Sequence, residues 1–413
     1  MRVFREELGG EVGKKAVAKG ERKANVKVLL LGVGMQGKAA LYDLVSSGAA
    51  TSITAADSDL EGLERHVQKQ GYRKVKCVGL DASDASSLGQ LMAAGADVAI
   101  DLLPVPFVGS VAKCAVEHGV DLVNTFYVTP EVAAAGEEAA KRRVAILPEF
   151  GMDPGIDLVL LGEALKRFDT VTEIHSYGAG VPEPEAANNP LKYKITWIFD
   201  GVLRSYKRPA RMMRAGKAVD IPDTEQFAPG NGHFVEVEGL GRLEAFPNGD
   251  ALQYVRYLRD ASTLREMGRY SCRWPGHSEF WKKMVDLHFL DDKAIAVDGS
   301  QVIPRRFLVA LLEPQLRYGA HERDVAFLRV EVRGTKDGGS RRAVFEVVDR
   351  RDLKTGFTAM SRTVGFTASI GAQMLASGAI KGKGLLSPVR DVPWEPFRRE
   401  LEKRGIVVSE RVN

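Results

Sequence analysis

A chain of 413 residues is longer than one ordinary hydrophobic core fills, so two domains are expected. Hydrophobic residues at 45% and charged residues at 27%, with a formal net charge of +4, describe a soluble globular protein and give no concentrated basic face for nucleic acid. Three well-separated cysteines (Cys77, Cys114, Cys272) exclude a disulfide scaffold, and no His/Cys/Asp/Glu cluster has metal-ligand spacing, so no metal is expected.

Residues 1–25 mix seven basic and four acidic side chains with several glycines, which reads as a loosely docked extension with little apolar surface to bury. It has no apolar signal-peptide core, and no segment of the chain is long and apolar enough to span a membrane. The expected location is the cytoplasm.

From Val26 to Pro148 the pattern alternates regularly. Val26–Leu31 is a short, almost wholly apolar strand of the kind buried on both faces of a parallel sheet. Met35–Ser47 follows with helical spacing and stops at Gly48. Strands at Ile53–Ala56, Val75–Val78, Asp97–Leu102, Asp121–Asn124 and Val144–Leu147 then alternate with helices at Leu60–Gln70, Ser86–Ala94, Val108–His118 and Glu131–Arg142. This is the sequence of an α/β, doubly wound parallel sheet of Rossmann type.

Between the first strand and first helix stands Gly32-Val33-Gly34-Met35-Gln36-Gly37, a GxGxxG. Gly32 permits the tight turn, Gly34 lets the backbone approach a pyrophosphate, and Gly37 lets helix and strand pack closely. Asp57 ends the second strand, where a carboxylate accepts bonds from the adenine-ribose hydroxyls. It would repel a 2′-phosphate, and Ser58 and Asp59 follow with no arginine nearby, so NAD is expected rather than NADP. Asp81 either meets the adenine amino group or caps the following helix. Leu102-Leu103-Pro104 lies at the carboxyl edge of the sheet, where such folds bind their ligands.

Past Gly151 the alternation stops. Phe327–Arg333 and Arg341–Val348 flank Lys336-Asp337-Gly338-Gly339, a strong hairpin signal. Val235–Glu238 and Leu243–Phe246 look like a second short pair, and Leu191–Arg214 and Arg305–Leu316 have helical spacing. The expectation is an α+β domain over residues 154–354 with a mainly antiparallel sheet, for substrate binding and dimerisation. The dinucleotide domain is assigned residues 26–153 and 355–413, because the small-residue helical face in Ser361–Ser377 (Gly365, Ala368, Gly371, Ala372) should dock back on it.

The run Pro148-Glu149-Phe150-Gly151-Met152-Asp153-Pro154-Gly155-Ile156-Asp157 resembles the saccharopine dehydrogenase family, which includes glutamate-forming saccharopine reductases and lysine 6-dehydrogenases. Asn124–Pro130, Gly180–Glu185 with Asn189–Lys194, and Gly201-Val202-Leu203 are similar to further family blocks. The tail at Phe357–Ile380 and Lys403–Glu410 is closer to the lysine 6-dehydrogenases. The resemblance implies an NAD-dependent oxidoreductase of amino-acid metabolism that oxidises a CH–NH group to an imine, and a homodimer.

Saccharopine reductases carry arginine just before Gly-Val-Leu and within Pro-Asn-Arg-Asp; here those positions are Asp200 and Gly249. An Arg fork pairs bidentately with a carboxylate, and neither replacement can. The acidic Asp200 therefore points to the side-chain amine of a lysine-like amino acid, with saccharopine oxidation as the alternative. A non-catalytic dinucleotide-sensing protein is a third reading.

Amine oxidation needs a group that takes a proton from the amine and activates water on the imine. Asp153 after the sixth strand, Tyr127 after the fifth and His277 in Trp274-Pro275-Gly276-His277 are the catalytic candidates. Asp153 also reads as the N-cap of a helix starting at Pro154. Glu149, Asp200, Asn248 and Asp250 are the substrate-binding candidates. Arg242, Arg256 and Arg269 are eligible to hold an α-carboxylate, and the sequence does not choose among them.

Overall fold

The computed structural model describes residues 26–413, so the extension expected at residues 1–25 lies outside the described residues. The first domain alternates β1 (Val26–Leu31), α1 (Met35–Ser47), β2 (Ala50–Asp57), α2 (Leu60–Gln70), β3 (Val75–Gly79), α3 (Ala85–Ala93), β4 (Val98–Asp101), α4 (Val108–His118), β5 (Asp121–Asn124), α5 (Pro130–Lys141) and β6 (Ala145–Leu147). These strands are parallel and nearly all apolar because helices cover both faces of the sheet. Its order places β1 between β2 and β4. The chain reverses direction across the sheet at that point, and the carboxyl edge beside it is the binding crevice of such folds.

The second domain opens with α6 (Ile156–Leu165), an all-round apolar helix buried on every turn, and β7 (Thr170–Pro182). It continues through α7 (Phe199–Ser205), β8 (Ala210–Arg214), β9 (Lys217–Ile221), β10 (His233–Val237), β11 (Gly241–Pro247), β12 (Glu266–Arg273), α8 (His277–Asp286), the hairpin β13 (Ile295–Val297) and β14 (Ser300–Val302), and α9 (Pro304–Leu312). β15 (Asp324–Lys336) and β16 (Gly339–Arg350) form a long hairpin whose two turn residues, Asp337 and Gly338, have φ of 51° and 78°. Both positive values suit the right-handed twist of the strands. Nine strands make one sheet, antiparallel except where β12 runs parallel to β7, so the sheet is mixed.

The Leu191–Arg214 expectation is corrected: only α7 is helical there, and the chain turns extended after Pro209 to enter β8. β7 and β12, which carry much of the sheet's centre, gave no clean period-two signal because both of their faces are covered.

The last part returns to the first domain. After α10 (Ala359–Ser361) comes a π-helical turn at Arg362–Phe366, then α11 (Thr367–Ala376). A Cβ at Gly365 would collide with the backbone of Gln36 and lie 2.8 Å from Ala39 Cβ, so only glycine allows this helix so close to α1. β17 (Gly384–Leu385) joins the first sheet beside β6 as its seventh strand. The chain then passes through α12 (Pro388–Asp391) and α13 (Trp394–Lys403) to β18 (Val408–Val412), which pairs with β16. The tail assigned wholly to the dinucleotide domain therefore contributes its final strand to the other sheet.

Arg404, at the end of α13, locks this return. Its guanidinium bonds both oxygens of Asp43 on α1 at 2.5 and 2.9 Å, and Ser369 and Gln373 of α11 share that buried carboxylate. Removing one partner of a buried pair leaves the other charged and dry. Arg404→Ala is expected to lower the unfolding free energy by about 3 kcal/mol in urea titration. A loss below about 0.5 kcal/mol would show that the clamp is solvated and inert.

Candidate active site

At the carboxyl edge the glycine turn is shaped as a phosphate cradle. A Cβ on Gly32 would lie 2.7 Å from Leu102 O, and one on Gly37 would strike Gly32 O, whereas Gly34 has open space around its Cβ position. Glycine is thus enforced by the protein at two positions and leaves room for a ligand at the third. Asp57 accepts from Val33 N at 2.6 Å and from Asp59 N at 3.0 Å, which sets its carboxylate beside the turn. Met35 is 46% exposed at the mouth of α1, and Gln36 Oε1 is buried without a partner. These residues fit a dinucleotide.

Leu102 and Leu103 pack against the same turn, with Pro104 beginning the next loop. Asp101, missed by sequence reading, sits fully buried under them. It accepts from Leu103 N at 3.0 Å while its other oxygen has no partner, and burial pushes its carboxyl up to about 7. An aspartate closing the apolar strand Val-Ala-Ile-Asp was the available signal. Asp81 instead turns inward on its own loop, accepting from the Ser83 N–H and hydroxyl at 2.9 and 2.6 Å; Asp84 is the residue that caps α3.

Further along the edge, one arginine organises the site. Arg269 of β12 reaches across from the second domain and is buried. Its Nη2 donates to Asp153 and to Asp157, the latter at 2.8 Å, and its Nη1 donates to the Tyr254 hydroxyl at 2.9 Å. Tyr254 in turn donates to Glu149 Oε1 at 2.8 Å. Three carboxylates thus surround one guanidinium in a nearly dry setting.

Burial pushes Asp157 up to about 7, with Arg269 pulling against it and Asp153 adding to the rise. Burial also raises Glu149, whose Tyr254 bond opposes the shift. Glu149 adopts φ of 56°, a left-handed backbone that a side-chain-bearing residue holds only when its surroundings impose it.

Asp153 is not a helix cap. The helix begins at Ile156, Gly155 occupies the capping position, and it is Asp157 that accepts from Gly155 N at 2.7 Å. Freed from capping, Asp153 turns to Arg269, and Gly178 on β7 makes room, since any Cβ there would collide with its carboxylate.

Tyr127 is half-buried, and the Arg269 and Arg208 guanidinium carbons lie 5.4 and 5.7 Å from its ring centre. Burial pushes its phenol up to about 12, so near neutrality it is a hydroxyl and a hydrogen-bond donor, not a base.

The remaining expectations divide. Asn248 is half-buried beside the cluster, its N–H bonded to Arg269 O at 2.8 Å. Asp250 is exposed and accepts from Leu252 N at 2.8 Å, capping the next turn. Asp200 is committed elsewhere: its carboxylate is paired with Arg305 and, at 2.9 Å, with Arg204.

His277 is corrected outright. It is packed among Tyr206, Phe246 and Trp281, bonded through Nε2 to the Tyr206 hydroxyl at 2.8 Å, and burial with nearby Arg273 holds it well below the usual histidine range. It is a neutral core histidine. Arg242 faces solvent against Phe234, away from the cluster, and Arg256 stays exposed.

An interdomain cleft of about 650 Å³ opens beyond β6, with Val128, Glu149, Arg256, Arg259 and Ser387 on its walls; Tyr127 and Asp153 do not line it. Among the described residues no cluster has metal-binding composition and no helix is long and apolar enough to cross a membrane.

A glycine-turn Rossmann domain whose carboxyl edge carries carboxylates organised by a buried arginine of a second domain defines a nicotinamide-dependent oxidoreductase. Residues 28–147 match the saccharopine dehydrogenase NADP binding domain, and residues 151–406 match the saccharopine dehydrogenase C-terminal domain. The chain belongs to the saccharopine dehydrogenase family. It is 26% identical to the NADP(+)-dependent, L-glutamate-forming saccharopine dehydrogenase of Saccharomyces cerevisiae, over 93% of this chain and 98% of that one. The carboxyaminopropylagmatine dehydrogenase of Synechocystis sp. is 23% identical over 94% of this chain and 98% of its own. The solved apo saccharopine dehydrogenase of Saccharomyces cerevisiae superposes with a TM-score of 0.81 at 25% identity, covering 94% of this chain and all of that one.

Asp157 gives the site a stability signature. Its folded carboxyl is held up to about 7 against an ordinary 3.8, so the folded state binds the extra proton between those values. Stability therefore falls as pH rises through that window, by at most about 1.4 kcal/mol per pH unit. Asp157→Asn keeps the shape and removes the titration. Its urea midpoint is expected to change less between pH 5 and 8 than that of the wild type, and equal slopes would place the shared proton on another group.

Proposed function

We propose that this chain is an NAD-dependent dehydrogenase that oxidises the CH–NH group of a secondary amine built from amino-acid arms, with saccharopine as the representative substrate. The observation that carries this reading is the placing of Asp153 and Tyr127 side by side, on the carboxyl edge of the dinucleotide sheet, by Arg269 of the second domain. The lysine side-chain reading leaned on a free acidic Asp200; that carboxylate is neutralised by Arg204 and Arg305, which favours the secondary amine.

A bound nicotinamide would supply the hydride acceptor. Gly32, Gly34, Gly37 and the amino end of α1 would hold its pyrophosphate, Asp57 the adenine ribose, and Leu102–Pro104 the nicotinamide end. The named relative from Saccharomyces cerevisiae uses NADP(+). Asp57-Ser58-Asp59 here offers a 2′-phosphate two carboxylates and no cation, which supports NAD.

Asp153 takes the substrate ammonium and accepts its proton, leaving the neutral amine that hydride loss requires. The Tyr127 hydroxyl donates to the reacting centre and fixes its orientation. Behind Arg269, burial raises the carboxyl of Asp157 to about 7 and raises that of Glu149, so both acids bind a proton more readily than an exposed carboxylate as the amine loses its own. Asp153 then releases that proton to solvent and, ionised again, accepts one from the water that opens the imine.

NADH formation followed at 340 nm, with saccharopine and lysine offered separately, tests the reading. Turnover of saccharopine with NAD preferred over NADP is expected, with Asp153→Asn slower by about 10²-fold or more. Turnover of lysine alone would overturn the substrate assignment. Asp57→Ala is expected to narrow the NAD preference, and equal use of both cofactors by the wild type would overturn the cofactor assignment.

A further inference from the structure

Two guanidinium groups flank the Tyr127 ring, and their situations are opposite. Arg269 is buried, its Nη2 committed to Asp153 and Asp157 and its Nη1 to Tyr254, so its charge is already paired within the protein while its Nε has no partner. Arg208, three residues past the end of α7, is half-buried and makes no side-chain hydrogen bond or ion pair with any described residue. Several other arginines drawn back from the surface hold an acid: Arg305 has Asp200 and Asp292, Arg329 has Glu346, and Arg362 has Asp349. Arg208 holds none, and it stands at the candidate site.

The fold holds it there. Pro209 follows immediately, fixing the backbone at the turn from α7 into β8. The aliphatic stem passes Gly249, whose Cβ position lies 3.7 Å from Arg208 Cδ. Gly249 has φ of 66°, a conformation a side chain resists, so this wall is shaped by backbone and leaves the guanidinium its place. Arg208 lies 5.7 Å from the Tyr127 ring centre, and its positive charge and the negative charge of Asp153 pull the phenol in opposite directions.

We propose that Arg208 is the specificity-determining residue of this site: it binds the carboxylate nearest the reacting nitrogen, so that the enzyme selects amino-acid amines over plain amines. The proposal rests on the reading of Tyr127 and Asp153 as the reaction site. A zwitterion fits the arrangement, its ammonium on Asp153 and its carboxylate bidentate on the Arg208 fork, with the Tyr127 hydroxyl between them. Lysine in place of Arg208 keeps the charge but loses the fork.

Calorimetric binding of saccharopine and of glutarate, a carboxylate probe without an amine, to the NAD-loaded full chain tests this in the wild type, Arg208→Gln and Arg208→Lys. Arg208→Gln is expected to weaken both ligands by about tenfold to a hundredfold, Arg208→Lys by less, with NAD affinity and thermal midpoint unchanged. In turnover, KM is expected to rise far more than kcat falls. Wild-type affinity retained in Arg208→Gln, or no binding of either probe by the wild type, overturns the assignment. Glutarate held through Arg208 without turnover of any amine would keep the carboxylate receptor and remove the dehydrogenase reading. Turnover unaffected by Arg208→Gln would do the reverse.

Discussion

A single buried positive charge governs this molecule. Arg269 leaves β12 of the second domain and ends between Asp153 of the first domain and Asp157 of its own. Burying such a group costs more than its ion pairs return unless every donor is well placed, so a buried pair of this kind is weak evidence for stability as such. Its value here is positional. The fork geometry sets Asp153 and Asp157 on one nitrogen and Tyr254 on the other, which leaves those side chains little rotational freedom. The second domain thereby arranges side chains that the first domain's loops would leave loose.

The backbone around that charge breaks local preferences. Glu149 takes a left-handed conformation, and Gly155 bends sharply at φ of 150° before α6 can begin. Gly178 gives up a side chain in the middle of a strand so that Asp153 has room. Such departures persist where the surroundings over-determine them, and they gather at working sites. Around the glycine turn the pattern is similar: two glycines are demanded by contacts within the protein and one by the space it must leave.

The first domain was legible because its physics is local. Apolar strands, amphipathic helices and the GxGxxG each announce themselves within a dozen residues, and the resemblance at Pro148–Asp157 extended the reading across the chain. The second domain was legible only in its hairpin, where turn chemistry is also local. β7 and β12 hid because doubly covered strands lose their alternation, and Leu191–Arg214 mimicked a helix until Pro209 intervened. Site residues failed for a different reason. Tyr127 and Asp153 were singled out from their positions at strand ends, but their neighbours Arg269, one of three arginines the sequence did not choose among, Tyr254 and Arg208 are distant in sequence and are joined to them only by folding. His277 and Asp200 misled because an isolated polar residue does not reveal whether the core or a neighbouring arginine already satisfies it.

The seventh strand of the parallel sheet has a consequence for how the molecule is made. β17 completes the first sheet beside β6, yet it is translated only after every strand of the second sheet except β18. Domains emerge and fold in order from the amino end, so the nascent dinucleotide domain leaves the ribosome with an unpaired β6 edge. An open edge is a template for foreign strands. The groove between α5 and β6 must wait, uncovered, until Leu385 settles against Gly136. Elongation rate and chaperone supply thus enter the folding yield of this chain, through a strand of two residues.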